Sequence, residues 1–561
     1  MSYQPTAEQL AIIAAAKTGS HLVVNAYAGT GKTATLVEIA KALPRKKIRY
    51  VSYNASARED AKTRFGINTR CTTSHGLATR PMGHLFNRTQ VKGQSKYLPG
   101  HQRARMMGIL GPQRLQGADK VLSPGQLASV VMQTIRKFCY TADEKITSRH
   151  VPSDLKRLDG PETLAALRHI VPPIAQRVWD NDLTSADGAL PYDHDFYLKA
   201  YALTHPHIIA DVILLDEAQD SNPCVAAMIL EQIEYGAQVI MVGDTYQAIY
   251  GWRGAVDAMR DFAEHPGVQV LSLTQSFRFG PAIAAEGNDW LTFLGAPAQL
   301  RGFDQIQSRV GEIPLDHPDA ILCRTNAEAL NQAMKAIEAG LVVAFPKGCG
   351  ELISMTKSAQ AIKRGEPAEH PNLMAFVTWG QVQDFAENDP EGDDLQRFVD
   401  LVDEHGPEGL LDILGKIGNA EKLKKQGITP DVTVSTAHQA KGLEWPMVRI
   451  APDFAEPEGK NGARPVVRRS EAMLAYVACT RAKNVLGNAA LTWIKDYIDA
   501  PAPAQPAEAT IPAPQVAAEP PAPVAALREP RPVFAAWYTP QSAAPTGAAL
   551  ALALVLEGSD G

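Results

Sequence analysis

Cysteine is scarce in this chain of 561 residues: six are scattered at positions 71, 139, 224, 323, 349 and 479, and no two form a close pair. That spacing argues against a zinc knuckle or a disulfide framework and fits a reducing compartment. Long apolar runs are missing as well. The longest late one, Ala548 to Leu556, spans nine residues, far short of the roughly 20 that a membrane-crossing helix needs. The start, Met1-Ser2-Tyr3-Gln4-Pro5, lacks the basic residues and apolar core of a signal peptide, so a cytoplasmic location without membrane attachment is expected. There is no excess of positive charge; the net charge is −6 and the pI about 6.2, so nothing global advertises a polyanionic partner. One absence is local and more telling. Between Ala61 and Ala118 there is no Asp or Glu, while ten Lys or Arg occur (Lys62, Arg64, Arg70, Arg80, Arg88, Lys92, Lys96, Arg103, Arg105 and Arg114). A one-sign stretch in an acidic protein reads either as an electrostatic footprint for a polyanion or as a solvated basic face.

The chemistry is concentrated in two short segments. Ala28-Gly29-Thr30-Gly31-Lys32-Thr33 follows the apolar stretch Leu22-Val23-Val24, and Asp216-Glu217 closes the apolar run Val212 to Leu215. A glycine-rich loop between a strand and a helix turns its backbone N–H groups around phosphates; the lysine reaches the β/γ-phosphates and the threonine hydroxyl the Mg²⁺. Lys32 and Thr33 are expected in those roles, with Asp216 at the metal and Glu217 at the attacking water. The strict signature opens on glycine where this chain has Ala26. Hydrolysis of a nucleoside triphosphate is the expected activity.

Length alone suggests three to five domains. Residues 6–16 read as a helix capped by Thr6, with Leu10 and Ile13 on its apolar face, and strands are expected over 48–53, 320–324, 432–435 and 447–450. Alternating strands and helices with ligand residues at strand ends imply an α/β fold with parallel sheets, in two cores. Two mainly helical segments interrupt them. The expected division is 1–84 with 200–275 for the first core, 85–199 for its insert, 276–345 with 431–498 for the second core, and 346–430 for a smaller insert. Beyond 499 the chain becomes a disordered Pro/Ala-rich extension: nine of the 30 residues from Pro501 to Pro530 are proline and ten alanine. It leads to Phe534, Trp537 and Tyr538, read either as a docking peptide for a protein partner or as a strand packing back on the body.

The run from Val242 to Ala255, Val-Gly-Asp-Thr-Tyr-Gln-Ala-Ile-Tyr-Gly-Trp-Arg-Gly-Ala, closely resembles the third motif of UvrD/Rep-type superfamily 1 DNA helicases. Ser276-Phe277-Arg278, the segment Ser435 to Trp445 and the segment Tyr476 to Lys483 resemble motifs IV, V and VI in the family's order. Tyr53-Asn54-Ala55-Ser56-Ala57 and Thr73-Ser74-His75-Gly76-Leu77-Ala78 look closer to the F-box DNA helicase subgroup, although no segment resembles an F-box.

The resemblance implies two RecA-like domains forming a P-loop NTPase motor, each with a helical insert, that close on ATP and Mg²⁺. It implies that Gln9 reads adenine and that Phe277 stacks on it, where relatives often carry tyrosine. Glu444 would take the ribose hydroxyl, Gln247 would sense the γ-phosphate, and Arg278 and Arg481 would arrive from the second core. Together with Glu217 these last three make the expected catalytic set. For single-stranded DNA and its junctions with duplex, the resemblance implies contacts at Tyr53, His75, Tyr250, Trp252 and His438. A 3′→5′ helicase acting in repair, recombination or replication follows. The alternative is a translocase that strips proteins from DNA and unwinds weakly, because the insert at 346–430 is reduced.

Overall fold

The computed structural model describes residues 4–90, 98–118, 120–153, 160–250, 258–313, 318–389, 392–457 and 465–498. Trp252, Lys92, Lys96 and the extension from 499 onward therefore lie outside the described residues.

The first sheet is built from β1 (His21–Ala26), β2 (Ile48–Ser52), β3 (Thr69–Thr73), β6 (Val212–Asp216), β7 (Gln238–Gly243) and β8 (Val268–Leu273), in the order β3-β2-β6-β7-β1-β8. All its pairings are parallel. A parallel sheet is covered on both faces, so its strands read as continuous apolar runs whose alternate residues feed two cores. Val23, Val51, Ile213, Leu215, Val239 and Met241 enter one cluster, while Leu22, Val24, Tyr50, Leu214, Ile240 and Val242 enter the other. Register brings Val24 beside Val242 and Val242 beside Asp216, so β1, β7 and β6 end at one edge.

Inserted between β3 and β6 is a mainly helical segment with its own apolar core from Ala104 to Phe196, centred on the helices Pro124–Tyr140 and Pro161–Val178. It includes one small antiparallel hairpin, β4 (Gln113–Arg114) with β5 (Val121–Leu122), that the sequence reading lacks.

The second sheet contains β9 (Arg309–Val310), β10 (Ala320–Cys323), β11 (Val343–Phe345), β12 (Gly418–Asn419), β13 (Val432–Thr436), β14 (Trp445–Ile450) and β15 (Ala482–Gly487), ordered β12-β11-β13-β10-β14-β15-β9. It too is parallel throughout. The smaller insert contributes the helices Gly350–Lys363, Trp379–Asn388 and Asp393–Gly415, the last broken at Gly406-Pro407. Its apolar residues share one cluster with Ile321, Val432 and Val434 of the sheet. The opposite face of that sheet joins a cluster that also holds Tyr27, Ala28 and Ile249, three residues of the first core.

Two local expectations change. The first helix, Ala7–Lys17, has the expected Thr6 cap, completed by Gln9 as a capping box, but it buries Gln9, Ile12 and Ala16 rather than Leu10, which is 54% exposed. Residues 9, 12 and 16 share one helical face, and Leu10 lies off it.

The basic stretch is also less of a footprint than its charge suggests. Arg88 and Arg103 are buried: Arg88 pairs with Asp182 and bonds the carbonyls of Ser185 and Leu190, and Arg103 pairs with Asp389 at 2.9 Å. Lys62 pairs with Glu59 and Arg64 with Asp60, carboxylates just ahead of the stretch. Counting charge along a segment misses partners delivered by the fold.

Candidate nucleotide and DNA site

The loop after β1 turns on two left-handed glycines, Gly29 (φ 73°) and Gly31 (φ 81°). A side chain at 29 would also collide with Ser276 Oγ at 2.5 Å and Arg278 Cβ at 2.7 Å, so the loop lies directly against the Ser276–Arg278 segment. The Gly29 carbonyl accepts from the Phe277 amide at 2.8 Å. Helix Lys32–Ala42 starts at Gly31 without a side-chain cap, leaving its first amides facing the loop. Orphan amides at a helix start and a cationic side chain suit a phosphate.

Lys32 lies 3.3 Å from the Ala26 carbonyl and 3.9 Å from the Glu217 carboxylate. Thr33 Oγ1 donates to Asp216 Oδ2 at 3.2 Å, and Tyr50 donates to the same oxygen at 2.6 Å. Asp216 Oδ1 accepts the Glu217 amide at 3.0 Å.

Glu217 is one of two non-glycine residues with positive φ among those described (φ 53°, ψ 44°). Such a conformation costs about 1–3 kcal/mol and persists where its surroundings impose it. Here the turn aims Glu217 at Lys32, while Gln219 donates to its other oxygen at 2.6 Å. Burial pushes Glu217 up, but Lys32, Lys441, the Gln219 amide and Arg481 outweigh burial and hold its carboxyl below the usual range. Burial and the Glu217 charge raise Asp216 instead.

These oxygens fit a hard cation. Among the described residues no group of three or more His, Cys, Asp or Glu could hold a metal alone, which matches the habit of Mg²⁺ to take one or two protein carboxylates and complete its shell with phosphate and water.

Gln9 is buried, with Nε2 3.2 Å from Thr35 Oγ1 and Oε1 accepting the Thr6 amide. Phe277 is 39% exposed, with its ring 5.5 Å from Phe303, an available platform beside the loop. Ala28 and Thr30 complete the loop, the Thr30 hydroxyl donating to the Tyr27 carbonyl at 2.9 Å.

From the second core, Arg481 Nη2 reaches Gln247 Oε1 at 3.3 Å, and Gln247 donates to Asp244 Oδ2 at 2.7 Å. Burial, then Arg278, push the Arg481 guanidinium down to about 9, leaving it protonated at neutral pH. Arg278 donates to Glu444 at 2.7 Å and to the Thr480 carbonyl, while Lys483 holds the other Glu444 oxygen at 2.7 Å. Glu444 thus stands between two cations in this conformation.

Three residues without an expected role complete the junction. The Tyr476 hydroxyl accepts the Ala28 amide at 3.2 Å and donates to Asp244 at 3.3 Å. Lys441 bonds Asp220 Oδ2 at 2.6 Å and the Gln247 carbonyl at 2.7 Å. Tyr50 is the third. Lys441 and Tyr476 lie inside the motif matches, and Tyr476 is also the one polar side chain in Leu474-Ala475-Tyr476-Val477-Ala478; Tyr50 carries no motif signal.

Of the expected DNA contacts, Tyr53 and Tyr250 stack with centroids 5.4 Å apart and planes 15° from parallel. The Tyr250 hydroxyl donates to the His438 carbonyl at 3.2 Å, and Lys441 lies over the Tyr250 ring. His75 stands apart from that group: it pairs with Asp195 at 3.0 Å among Phe86, His194 and Tyr197 of the first core and its insert.

The family described as AAA domain matches residues 9–253, and the UvrD-like helicase C-terminal domain matches 304–491. F-box DNA helicase protein 1 of Schizosaccharomyces pombe is 31% identical over 83% of this chain and 55% of its own length. F-box DNA helicase 1 of Gallus gallus is 30% identical over 83% of this chain and 47% of its own. DNA helicase II of Escherichia coli is 36% identical over 17% of this chain and 14% of its own. The chain therefore spans about half the length of the two F-box helicases it matches. With two parallel-sheet cores meeting at the glycine-rich loop and both matches in order along the sequence, the chain carries UvrD/Rep-type superfamily 1 helicase domains, which imply an ATP-dependent motor.

Proposed function

We propose that this motor hydrolyses ATP with Mg²⁺ to travel 3′→5′ along single-stranded DNA and to open duplex at junctions, in repair, recombination or replication. The observation that supports it best is the pairing of Arg481 from one core with Gln247 of the other, three residues before Tyr250, which stacks on Tyr53. A change at the phosphate end is thereby linked to the aromatic end.

In this reading Lys32 and the loop 28–33 hold the phosphates, with Gln9, Phe277 and Glu444 on the nucleoside. Thr33 and Asp216 seat the cation, and Glu217 takes the proton of the attacking water. The cation, when bound, screens the phosphate charge. Arg278, Arg481 and Gln247 donate to charge that grows on the transferred phosphoryl, an interaction that counts most in the transition state. Tyr53, His75, Tyr250, Trp252 and His438 track the strand; stacking on a ring is worth about 1–3 kcal/mol per base and is indifferent to sequence. The names of the relatives, DNA helicases, support a DNA track.

Strand displacement from duplexes with a 3′ or a 5′ tail, beside DNA-stimulated ATPase, tests the proposal. Displacement from the 3′-tailed substrate is expected, and displacement confined to 5′ tails would reverse the polarity. The small second insert supports the rival reading, a translocase that strips proteins. Fast travel on single strands without displacement at any duplex length would favour that rival.

A further inference from the structure

Tyr50 carries a hydroxyl that the phosphate-loop signature does not call for. It lies in the middle of β2, 1% exposed, with its ring 4.8 Å from Phe65. Its backbone pairs with Leu214, two residues before Asp216 on the adjacent strand β6, and its hydroxyl reaches Asp216 Oδ2 at 2.6 Å. The same oxygen accepts from Thr33 at 3.2 Å, and the Glu217 amide bonds the other oxygen.

These three donors differ in what they can do. The Glu217 amide is fixed in the backbone. The Thr33 hydroxyl sits on a rotatable side chain and is itself an expected metal ligand, so it leaves Asp216 when it turns to a cation. Tyr50 is clamped between strand and Phe65 and cannot follow. Once Thr33 departs, Tyr50 and the Glu217 amide alone define the plane of the carboxylate, one at each oxygen. The lone pair that Thr33 vacated on Oδ2 is then open to the cation, beside the second lone pair of Oδ1.

We propose that Tyr50 is a positioning residue for the divalent cation: it holds the Asp216 carboxylate so that the oxygen released by Thr33 faces the metal. This rests on the reading that Thr33 and Asp216 seat the cation. Partners that orient metal ligands typically contribute about 10–100-fold to metal affinity, and Tyr50 acts here at the carboxylate expected at the metal.

The test uses the full chain with ADP and reads Mn²⁺ binding from the electron paramagnetic resonance signal of the free ion. Tyr50→Phe keeps the ring and removes the hydroxyl. It should weaken Mn²⁺ about 10–100-fold and raise the Mg²⁺ needed for half-maximal ATPase by the same factor, while ADP binding without metal stays as in wild type. A purely structural tyrosine would lower the melting temperature and leave Mn²⁺ affinity unchanged, which overturns the proposal. Asp216→Asn and Thr33→Ala separate the two levels. If neither weakens Mn²⁺, the metal assignment itself fails; if both weaken it and Tyr50→Phe does not, only the role of Tyr50 fails. Should Tyr50→Phe not fold, Phe65→Leu carries the test, because it loosens the clamp on Tyr50 and leaves all three polar groups in place. A folded Phe65→Leu protein with wild-type Mn²⁺ affinity would then overturn the proposal.

Discussion

Lys441 of the second core and Asp220 of the first form an ion pair at 2.6 Å, with the two side chains 10% and 1% exposed. The same ammonium bonds the Gln247 carbonyl and lies 5.3 Å from the centre of the Tyr250 ring, so one charge touches the acidic turn, the glutamine and the aromatic stack. Removing one partner of a buried pair leaves the other charge uncompensated and costs about 3–5 kcal/mol. Lys441→Ala should lower the urea midpoint clearly, whereas Lys441→Met with Asp220→Asn should recover most of that stability. DNA-stimulated ATPase should remain low in both, since neither restores the bond to Gln247. Full ATPase in the double variant would reduce Lys441 to a stabilising contact.

Hydrolysis divides between two residues 3.9 Å apart. Lys32→Ala should abolish nucleotide binding by removing the cation at the phosphates. Glu217→Gln should bind ATP normally and turn it over about 10²–10⁴ times more slowly, the usual worth of a positioned general base. Binding of a fluorescent ATP analogue beside phosphate release separates the two, and near-normal turnover in Glu217→Gln would remove it from the reaction.

Arg481 sits in the core that does not carry the phosphate loop, and bonds Gln247 even in this conformation. Arg481→Ala should therefore lower kcat by far more than it raises KM, because its donors matter most on the transferring phosphoryl. A variant with unchanged kcat and weakened ATP binding would make Arg481 a ground-state ligand.

These residues show what the sequence could and could not convey. The phosphate loop, the acidic strand end and both sheets are local patterns: apolar runs of strand length closed by polar residues, with glycines where left-handed backbone is needed. The convergence of Lys441, Asp220, Gln247 and Tyr476 depends on how two sheets face each other, which no local period encodes. Arg88 and Arg103 fail in the opposite way, since their carboxylates lie 94 and 286 residues further along the chain. Tyr50 reads as one more apolar strand residue until the register of β2 against β6 is known.

Protonation of His438 supplies a pH test. Burial lowers its pKa below the ordinary 6.5, ahead of a weaker opposing pull from Glu471. A histidine whose folded pKa is depressed contributes stability that is complete above 6.5 and is lost as pH falls through that value towards the folded one. The neutral ring should thus predominate above the ordinary 6.5, and single-stranded DNA affinity across the neutral range above it should change equally in wild type and in His438→Gln. A steeper rise in wild-type affinity on acidification would mean that His438 meets the strand as a cation.

The apolar cluster that takes Tyr27, Ala28 and Ile249 from one core into the other makes the junction thermally active. Any opening of the cleft wets this seam, and wetting apolar surface adds about 0.45 cal/K/mol for each Å² exposed. The balance between shut and gaping forms must then bend with temperature instead of following a straight van't Hoff line. Chilling weakens apolar cohesion, so a cold motor leaves its jaws ajar for a larger share of each cycle. A motor of this build has its operating temperature written into the seam between its halves as well as into its chemistry.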